Sequence, residues 1–370
     1  MGSTTEGHTT MGAESTTGSM TTGSTSGDSG DEPIPLPPID GTIWHVAPEG
    51  NDAGAGTAEE PFATLQRGLE AAMPGDGIEL ADGEYAQGGV SVRAGEPDAK
   101  ICIYGSDRAV LRGMTDTVLV IAHDHYVVHG LTIDGLHGDP GRVEGYADQL
   151  LGVEGPDTSS TVRGVQLLEL TLRNAADECV RLRNGAQDSE IAGCTISDCG
   201  LRDFVFGDLE FKNGEGIFIG TPEDVWAGSG VPDRCDGNWI HDNEINTRGN
   251  ECVDVQEGSA GNIIEGNECR GQRDSFSGGI SIRGNGNVVR DNTVEGCSGA
   301  GVRLGGDPVG NDEYGVDNDV TGNTLVDNAA GGVKIQKIPQ GSICGNELES
   351  NGLGPSVGDY GDQFDPAAPC

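Results

Sequence analysis

From Trp239 to Leu353 apolar residues come in short runs, split by polar and glycine-containing turns. One phrase recurs five times: an aliphatic pair, two polar residues, Asn, then a polar–aliphatic step. It reads WIHDNEI at 239, IIEGNEC at 263, VVRDNTV at 288, DVTGNTL at 319 and SICGNEL at 342. A second phrase follows the first four, as ECVDVQ at 251, GGISIRG at 278, AGVRLGG at 300 and GGVKIQK at 331. Alternate residues in it are apolar: Val253 and Val255, Ile280 and Ile282, Val302 and Leu304, Val333 and Ile335. A period of two turns these to one side and Asp254, Ser281, Arg303 and Lys334 to the other. VRLR at 180 and IFIG at 217 keep the same register. Most repeats are about two dozen residues long, inside the window of stacked arrays.

No repeat carries the sustained 3.6-residue periodicity of a helix. The density of Gly, Asn and Asp leaves no room for one. The pattern therefore predicts an all-β chain: a single-stranded right-handed parallel β-helix of three-strand coils, each stacked roughly 4.8 Å above the last. Asn243, Asn267, Asn292, Asn323 and Asn346 then share one turn. A stacked ladder of side-chain amides accounts for them; tolerance of Asn for left-handed turns is the competing explanation.

The chain has 370 residues, yet a solenoid need not divide into average-sized domains, because each coil touches only its neighbours. Residues 1–40 are Ser/Thr/Gly-rich, hold no Lys or Arg and end in DEPIPLPPI. That composition predicts a disordered stalk, stiffened by proline near its end. Ordered structure is expected over 41–353, with excursions near 137–160 and 200–238 and a tail over 354–370. Near the start, Trp44–Ala47 and Gly77–Leu80 read as strands. Leu65–Ala72 reads as a helix with Leu65, Leu69 and Ala72 on one face, suited to capping the open N-terminal mouth of a solenoid.

Acids outnumber bases 61 to 21, for a net charge of -40. This opposes nucleic-acid binding, which needs a basic footprint, and contact with anionic membranes. No stretch is long and apolar enough to span a bilayer. Neither a basic n-region nor an apolar h-region is visible, so a signal is expected to have been removed or to lie upstream. Ten cysteines fit an oxidising, extracellular or cell-surface setting, and a monomer is expected. The expected bridges are Cys199–Cys235 across the second excursion and Cys344–Cys370 at the tail, with Cys269 a core thiol. His123, His125 and His129 share one strand parity and are expected to be structural, the alternative being a metal site.

The stretch VAPEGNDAGAGTAEEPFATLQRGLEAAMPGDGIELADGEY, continued by ICIYGSDRAVLRG and YVVHGLTIDG, resembles the N-terminal cap of the pectate-lyase-like β-helix superfamily. Polysaccharide lyase family nine and related secreted β-helix proteins are nearest. The resemblance covers Trp44 to about Leu353. It implies the fold and a polysaccharide partner, acidic or neutral.

Register singles out the residues able to do chemistry. Glu178, Glu215 and Glu251 occupy one column on successive coils, with Asp254 beside the last. Carboxylates stacked this closely must be partly protonated or hold cations between them, and oxygen-only ligands suit Ca²⁺. Bases gather on the same strand face: Arg181 and Arg183 at one end, Arg283, Arg303 and Lys334 at the other, with Lys212 from the excursion. Phe204, Phe206, Phe211, Phe218 and Trp226 cluster in that excursion, where aromatic rings suit sugar stacking or a local mini-core. Family nine lyases, by resemblance, combine an acidic calcium site with a lysine base. NECVDVQ at 250–256 resembles their acidic strand, whereas Ser281 in GGISIRG stands where lysine is expected. Arg283, Arg303, Lys334 or Lys212 would then supply the base. Three functions follow: calcium-dependent β-elimination on a uronate polymer, glycoside hydrolysis by paired carboxylates, or glycan binding without catalysis.

Overall fold

The computed structural model describes residues 1–2, 33–113, 116–207, 213–226, 230–306 and 313–370. The chain divides into Met1–Pro33 and a compact unit, Ile34–Cys370, and every helix and strand described lies in the second. Three parallel sheets form the sides of a right-handed β-helix. The first has 11 strands, from Ile43–Val46 to Ile343–Cys344. The second has 10, from Gly83–Tyr85 to Glu347–Glu349, and the third has 10, from Gly89–Val90 to Ser356–Val357. One coil passes through Trp239–His241, Glu244–Asn246 and Val253–Val255 in turn; the next passes through Ile263–Glu265, Glu268–Arg270 and Gly278–Ile282.

Local sequence explains why the strands are so short. The residue before each ladder Asn is Asp242, Gly266, Asp291, Gly322 or Gly345, and all five take left-handed backbone, with φ between 54° and 68°. Gly and Asp are among the residue types that enter this region most readily. The chain turns there after three extended residues. Inward columns from the three sheets meet in a narrow aliphatic lumen. Ile240, Ile264 and Val289 come from the first sheet, Ile245, Val294 and Leu325 from the second, and Val253, Ile280 and Val302 from the third, all fully buried. Each such side chain contributes about 1.5–3 kcal/mol by leaving water.

The Asn column is a ladder. Nδ2 of Asn243, Asn267, Asn292 and Asn323 each donates to Oδ1 of the next Asn, at 2.9, 2.9, 3.0 and 2.9 Å. A second ladder, Asn238–Asn262–Asn287–Asn318, precedes the first-sheet strands and ends on Gln340. Sequence reasoning placed amides at only one turn of the coil. The second set was legible, since each of its members directly precedes a recurring apolar pair.

The N-terminal mouth is closed as expected. Helix α1 (Leu65–Ala71) is N-capped by Thr64, whose side chain accepts from Arg67 N at 3.2 Å. Leu65, Leu69 and Ala72 are fully buried. Gly68 lets the helix approach the first coil closely, because a Cβ there would lie 2.8 Å from Ile78 Cγ2.

Several expectations need correction. Ile34, Leu36 and Ile39, assigned to the stalk, pack on the outer face of the first sheet over Cys102, Val127, Leu168 and Ala192. Alternating apolar residues in IPLPPI gave that stretch something to bury. Gln149–Glu154, placed inside an excursion, is a regular third-sheet strand paired with Val180–Arg183. The disulfides are Cys179–Cys199, Cys252–Cys269 and Cys344–Cys370. Only the last was foreseen. Cys199 is joined to Cys179 and not to Cys235, and Cys269 is bridged and not a thiol. Each new bridge joins a buried cysteine just before a third-sheet strand to one in or just after the second-sheet strand of the next coil, a pairing that column-by-column register does not reveal. Cys102, Cys194, Cys235 and Cys297 are free and buried.

Two measurements check this account. Asn292→Ala should lower unfolding free energy by about 1–3 kcal/mol, since it leaves Asn267 without its acceptor inside the coil stack; chemical denaturation reads it. Thiol titration in denaturant without reductant should count four free thiols, against six were Cys252 and Cys269 unbridged.

Candidate functional site

The third sheet carries two outward columns. Cα register aligns Arg181, Phe218, Asp254, Ser281, Arg303 and Lys334 in one. Two residues before each strand, Glu178, Glu215 and Glu251 align in the other, on successive coils. The carboxylate oxygens of Glu215, Glu251 and Asp254 lie within 4.8 Å of one another. Glu178 extends the column but is bonded back to Gln149 Nε2 at 3.1 Å and stays outside this triad.

These side chains point away from the lumen, yet they are not solvated. Glu251 is 0% exposed, Asp254 1%, Glu215 3% and Arg303 3%. In the second excursion Glu223 N donates to Glu257 Oε2 at 3.4 Å, and Trp226 packs edge-on to Tyr314 at 6.0 Å. Trp226 is itself buried and donates Nε1 to Thr221 O at 2.9 Å, so this ring is packing.

Hydrogen bonds satisfy the triad unevenly. Glu215 accepts from Asn250 Nδ2 at 2.8 Å and from Gly214 N at 3.0 Å. Ser277 Oγ donates to Glu251 Oε1, and Gln256 Nε2 to Asp254 Oδ2. Arg283 Nε stands 3.7 Å from Asp254 Oδ1. Among the described residues, Glu251 Oε2 and Gln256 Oε1 are buried with no hydrogen-bond partner. An unsatisfied buried carboxylate oxygen is costly, so the site calls for a proton or a cation.

The carboxyl acidities carry the same tension. Burial pushes the Glu251 carboxyl up to about 7, helped by the Asp254 charge and opposed by Arg283 and the Ser277 hydroxyl. Glu215 is raised well above its ordinary value by burial first, then by Glu251, Glu178 and Asp254. Burial also raises Asp254, against the pull of Arg283 and Arg303. Three converging oxygen donors plus neighbouring neutral oxygens suit a hard divalent cation such as Ca²⁺.

The remaining sequence candidates scatter. Arg303 and Lys334 follow Asp254 in column order, and Lys334 Nζ donates to Phe276 O at 2.8 Å. Phe218 is half-buried beside Asp254 in the column. Arg181 pairs with Glu154 at 3.5 Å, and Arg183 Nε donates to Thr221 Oγ1 at 2.7 Å. Phe204 and Phe206 lie on a short helical turn, Arg202–Phe206, with Phe206 against Tyr146 at 5.9 Å. Phe211 and Lys212 fall outside the described residues. The histidines do not converge: His123 Nδ1 meets Ser91 Oγ at 2.7 Å, while His129 Nε2 meets Ile34 O at 2.8 Å. Sequence reasoning missed Asn250, Gln256 and Ser277, which hold the triad, and Phe276, which is 71% exposed. Asn250 and Gln256 bracket the Glu251–Asp254 run, and that adjacency was the available signal.

The fold is that of a right-handed parallel β-helix. Its structure is similar to an alginate lyase from Paenibacillus sp. str. FPU-7, with a TM-score of 0.61 and 22% identity over 85% of this chain and 99% of that one. It is also similar to pectate lyase Pel9A, with a TM-score of 0.52 and 14% identity over 76% and 70%. A GH136 lacto-N-biosidase from Eubacterium ramulus gives 0.56 and 12% over 83% and 68%. Residues 225–363, under half of the chain, match the family described as periplasmic copper-binding protein (NosD). No curated protein matches the sequence. Among the described residues no helix is long and apolar enough to cross a membrane.

Raised carboxyls make a signed prediction. A group with a folded value above its unfolded one favours the folded state while protonated, and that advantage fades as pH rises. With chelator present, Tm should fall as pH climbs from about 4.5 toward 7, the window set by Glu251. Glu251→Gln should flatten that slope, and thermal scans across pH read it.

Proposed function

We propose that this chain is a secreted, calcium-dependent polysaccharide lyase that cleaves a uronate-containing polymer by β-elimination. One observation carries the reading: Glu215, Glu251 and Asp254 converge, with Glu251 Oε2 lacking a hydrogen-bond partner among the described residues, beside a basic run on the same strand face. The structural likeness to an alginate lyase and a pectate lyase supports it.

Glu215, Glu251 and Asp254 would hold the cation, with Gln256 Oε1 and Ser281 Oγ as neutral oxygens close by. Calcium bound there would neutralise a substrate carboxylate and the enolate-like charge that forms when its α-proton leaves. Arg283, close to Asp254, balances the acid cluster. Arg303 lies two coils beyond Asp254 in the column and is assigned proton abstraction, a step that requires its guanidinium to have lost a proton first, as burial and the charge of a bound cation would favour; Ser281 between them cannot serve as the amine base. Lys334, one coil further, pairs with the next uronate carboxylate along the polymer. Phe218 and the exposed Phe276 supply ring faces at the rim.

A second reading has its own support. A Glu251 carboxyl near 7 is poised for acid–base work, and a second carboxylate within 4.8 Å suits a glycoside hydrolase. The full burial of Glu251 favours the cation-holding role over direct contact with a sugar. Copper binding finds less support: residues 225–363 contain one His and no Met, and their free thiols, Cys235 and Cys297, are buried in the hydrophobic core.

Incubation with alginate, polygalacturonate and neutral glycans, with calcium or chelator, separates the readings. Calcium-dependent absorbance of an unsaturated product is expected. New reducing ends without that absorbance would establish the hydrolase instead. Glu251→Ala should abolish calcium binding measured by calorimetry, and Arg303→Ala should lower kcat by 10²-fold or more with calcium affinity kept. Unchanged calcium affinity in the Glu251 variant would remove the metal assignment.

A further inference from the structure

Trp239 lies on a different side of the prism. It belongs to the first sheet, whereas Asp254 of the same coil belongs to the third. Ile240 points into the lumen, so Trp239 and His241 point out. The indole is 41% exposed; of the other tryptophans, Trp226 is buried and Trp44 is half-buried against Phe62.

This exposed ring is immobilised. One face stacks on the His241 imidazole, with centroids 3.7 Å apart and planes 23° apart. Its Nε1–H donates to Glu265 Oε1 at 2.6 Å, and Glu265 is fixed in turn by Arg290. The imidazole is held at both nitrogens, Nδ1 by Asp242 Oδ2 at 2.6 Å and Nε2 by Glu190 Oε1 at 3.2 Å. Glu190 accepts from Gln166 Nε2, and Gln166 from Lys100 Nζ at 2.6 Å. Gln166, Glu190 and Trp239 stand in one column on successive coils.

We propose that this face is a second, non-catalytic site that binds a neutral polysaccharide chain, with Trp239 as its stacking platform. A flat ring already fixed in place loses little further freedom when a pyranose settles on it. Carboxylates and a guanidinium around the ring edge offer acceptors and donors to sugar hydroxyls. Repeats of roughly 4.8 Å along the column place such groups at about the step of one sugar unit. Charge bears on the polymer: Glu190, Asp242 and Glu265 balance Lys100, Arg290 and a protonated His241, so the patch has no excess of cations with which to hold a polyanion. The site is thus distinct in chemistry from the uronate-binding face, and its occupancy does not depend on the lyase reading.

Affinity electrophoresis through gels containing laminarin, xylan, glucomannan or polygalacturonate tests this. At least one neutral polymer should retard the wild-type protein, and Trp239→Ala should lose 10-fold or more of that affinity. Trp239→Phe, which keeps a ring, should retain part of it. Cleavage of soluble substrate should be unchanged in both variants, which shows that they fold. Titration with hexasaccharides of the retarding polymer should shift tryptophan fluorescence in the wild type and not in Trp239→Phe. Equal retardation of wild type and Trp239→Ala, retardation by polygalacturonate alone, or no retardation by any neutral polymer would each overturn the proposal.

Discussion

Parallel pairing between coils, residue against residue, is the constraint on which everything else in this molecule depends. It brings Asn243 beside Asn267, 24 positions later, and Glu215 beside Glu251 across an excursion. A slip of one residue would turn the lumen columns outward and the polar columns in. The amide ladders oppose such a slip, since a displaced Asn would lose its donor and its acceptor together inside a buried turn. Disulfides between successive coils add a covalent tie at two levels, between Cys179 and Cys199 and between Cys252 and Cys269. The scaffold is therefore rigid where the site needs rigidity.

That rigidity makes the buried acid cluster tolerable. Three carboxyl groups forced together away from water work against folding unless something neutralises them. Arg283 and Arg303 offset part of the charge, and burial favours the protonated forms for the rest. A loose scaffold would relieve the repulsion by spreading the acids apart. Here neighbouring coils hold their spacing, so the strain is available to a ligand of opposite charge.

Much of this was legible in the sequence because period-two alternation and a near-constant repeat translate directly into columns. The lumen residues, the Asn243–Asn346 ladder, the capping helix and the Glu178–Glu215–Glu251 column all follow from counting. What counting could not reach lies between columns or above them. Cys252, just before a third-sheet strand, meets Cys269 in the second-sheet strand of the next coil. Ile34, Leu36 and Ile39 find their apolar surface on a sheet face far along the chain. Asp254 and Arg303 are buried, although alternation alone marks both as outward and hence solvated positions. Trp226 read as a sugar platform for the same reason, whereas Trp239, inside the plainest repeat, drew attention only as part of the pattern.

The ladder of Asn residues also has a direction. At each step one donation from Nδ2 runs to the next Asn toward the C-terminal end, while another reaches a main-chain carbonyl of the coil before, as from Asn267 to Ile240 O and from Asn292 to Ile264 O. At one end a main-chain donor, Cys194 N, meets Asn243 Oδ1. At the other, Asn346 Nδ2 is left to find an acceptor, and it finds Pro366 O in the tail that Cys370 fastens to Cys344. The two ends of the ladder are thus chemically unlike, one receiving a hydrogen and one offering it. The closing segment acts as the terminal acceptor of a polar wire, and a lid lacking a carbonyl at that spot could shield the apolar lumen yet leave the wire open.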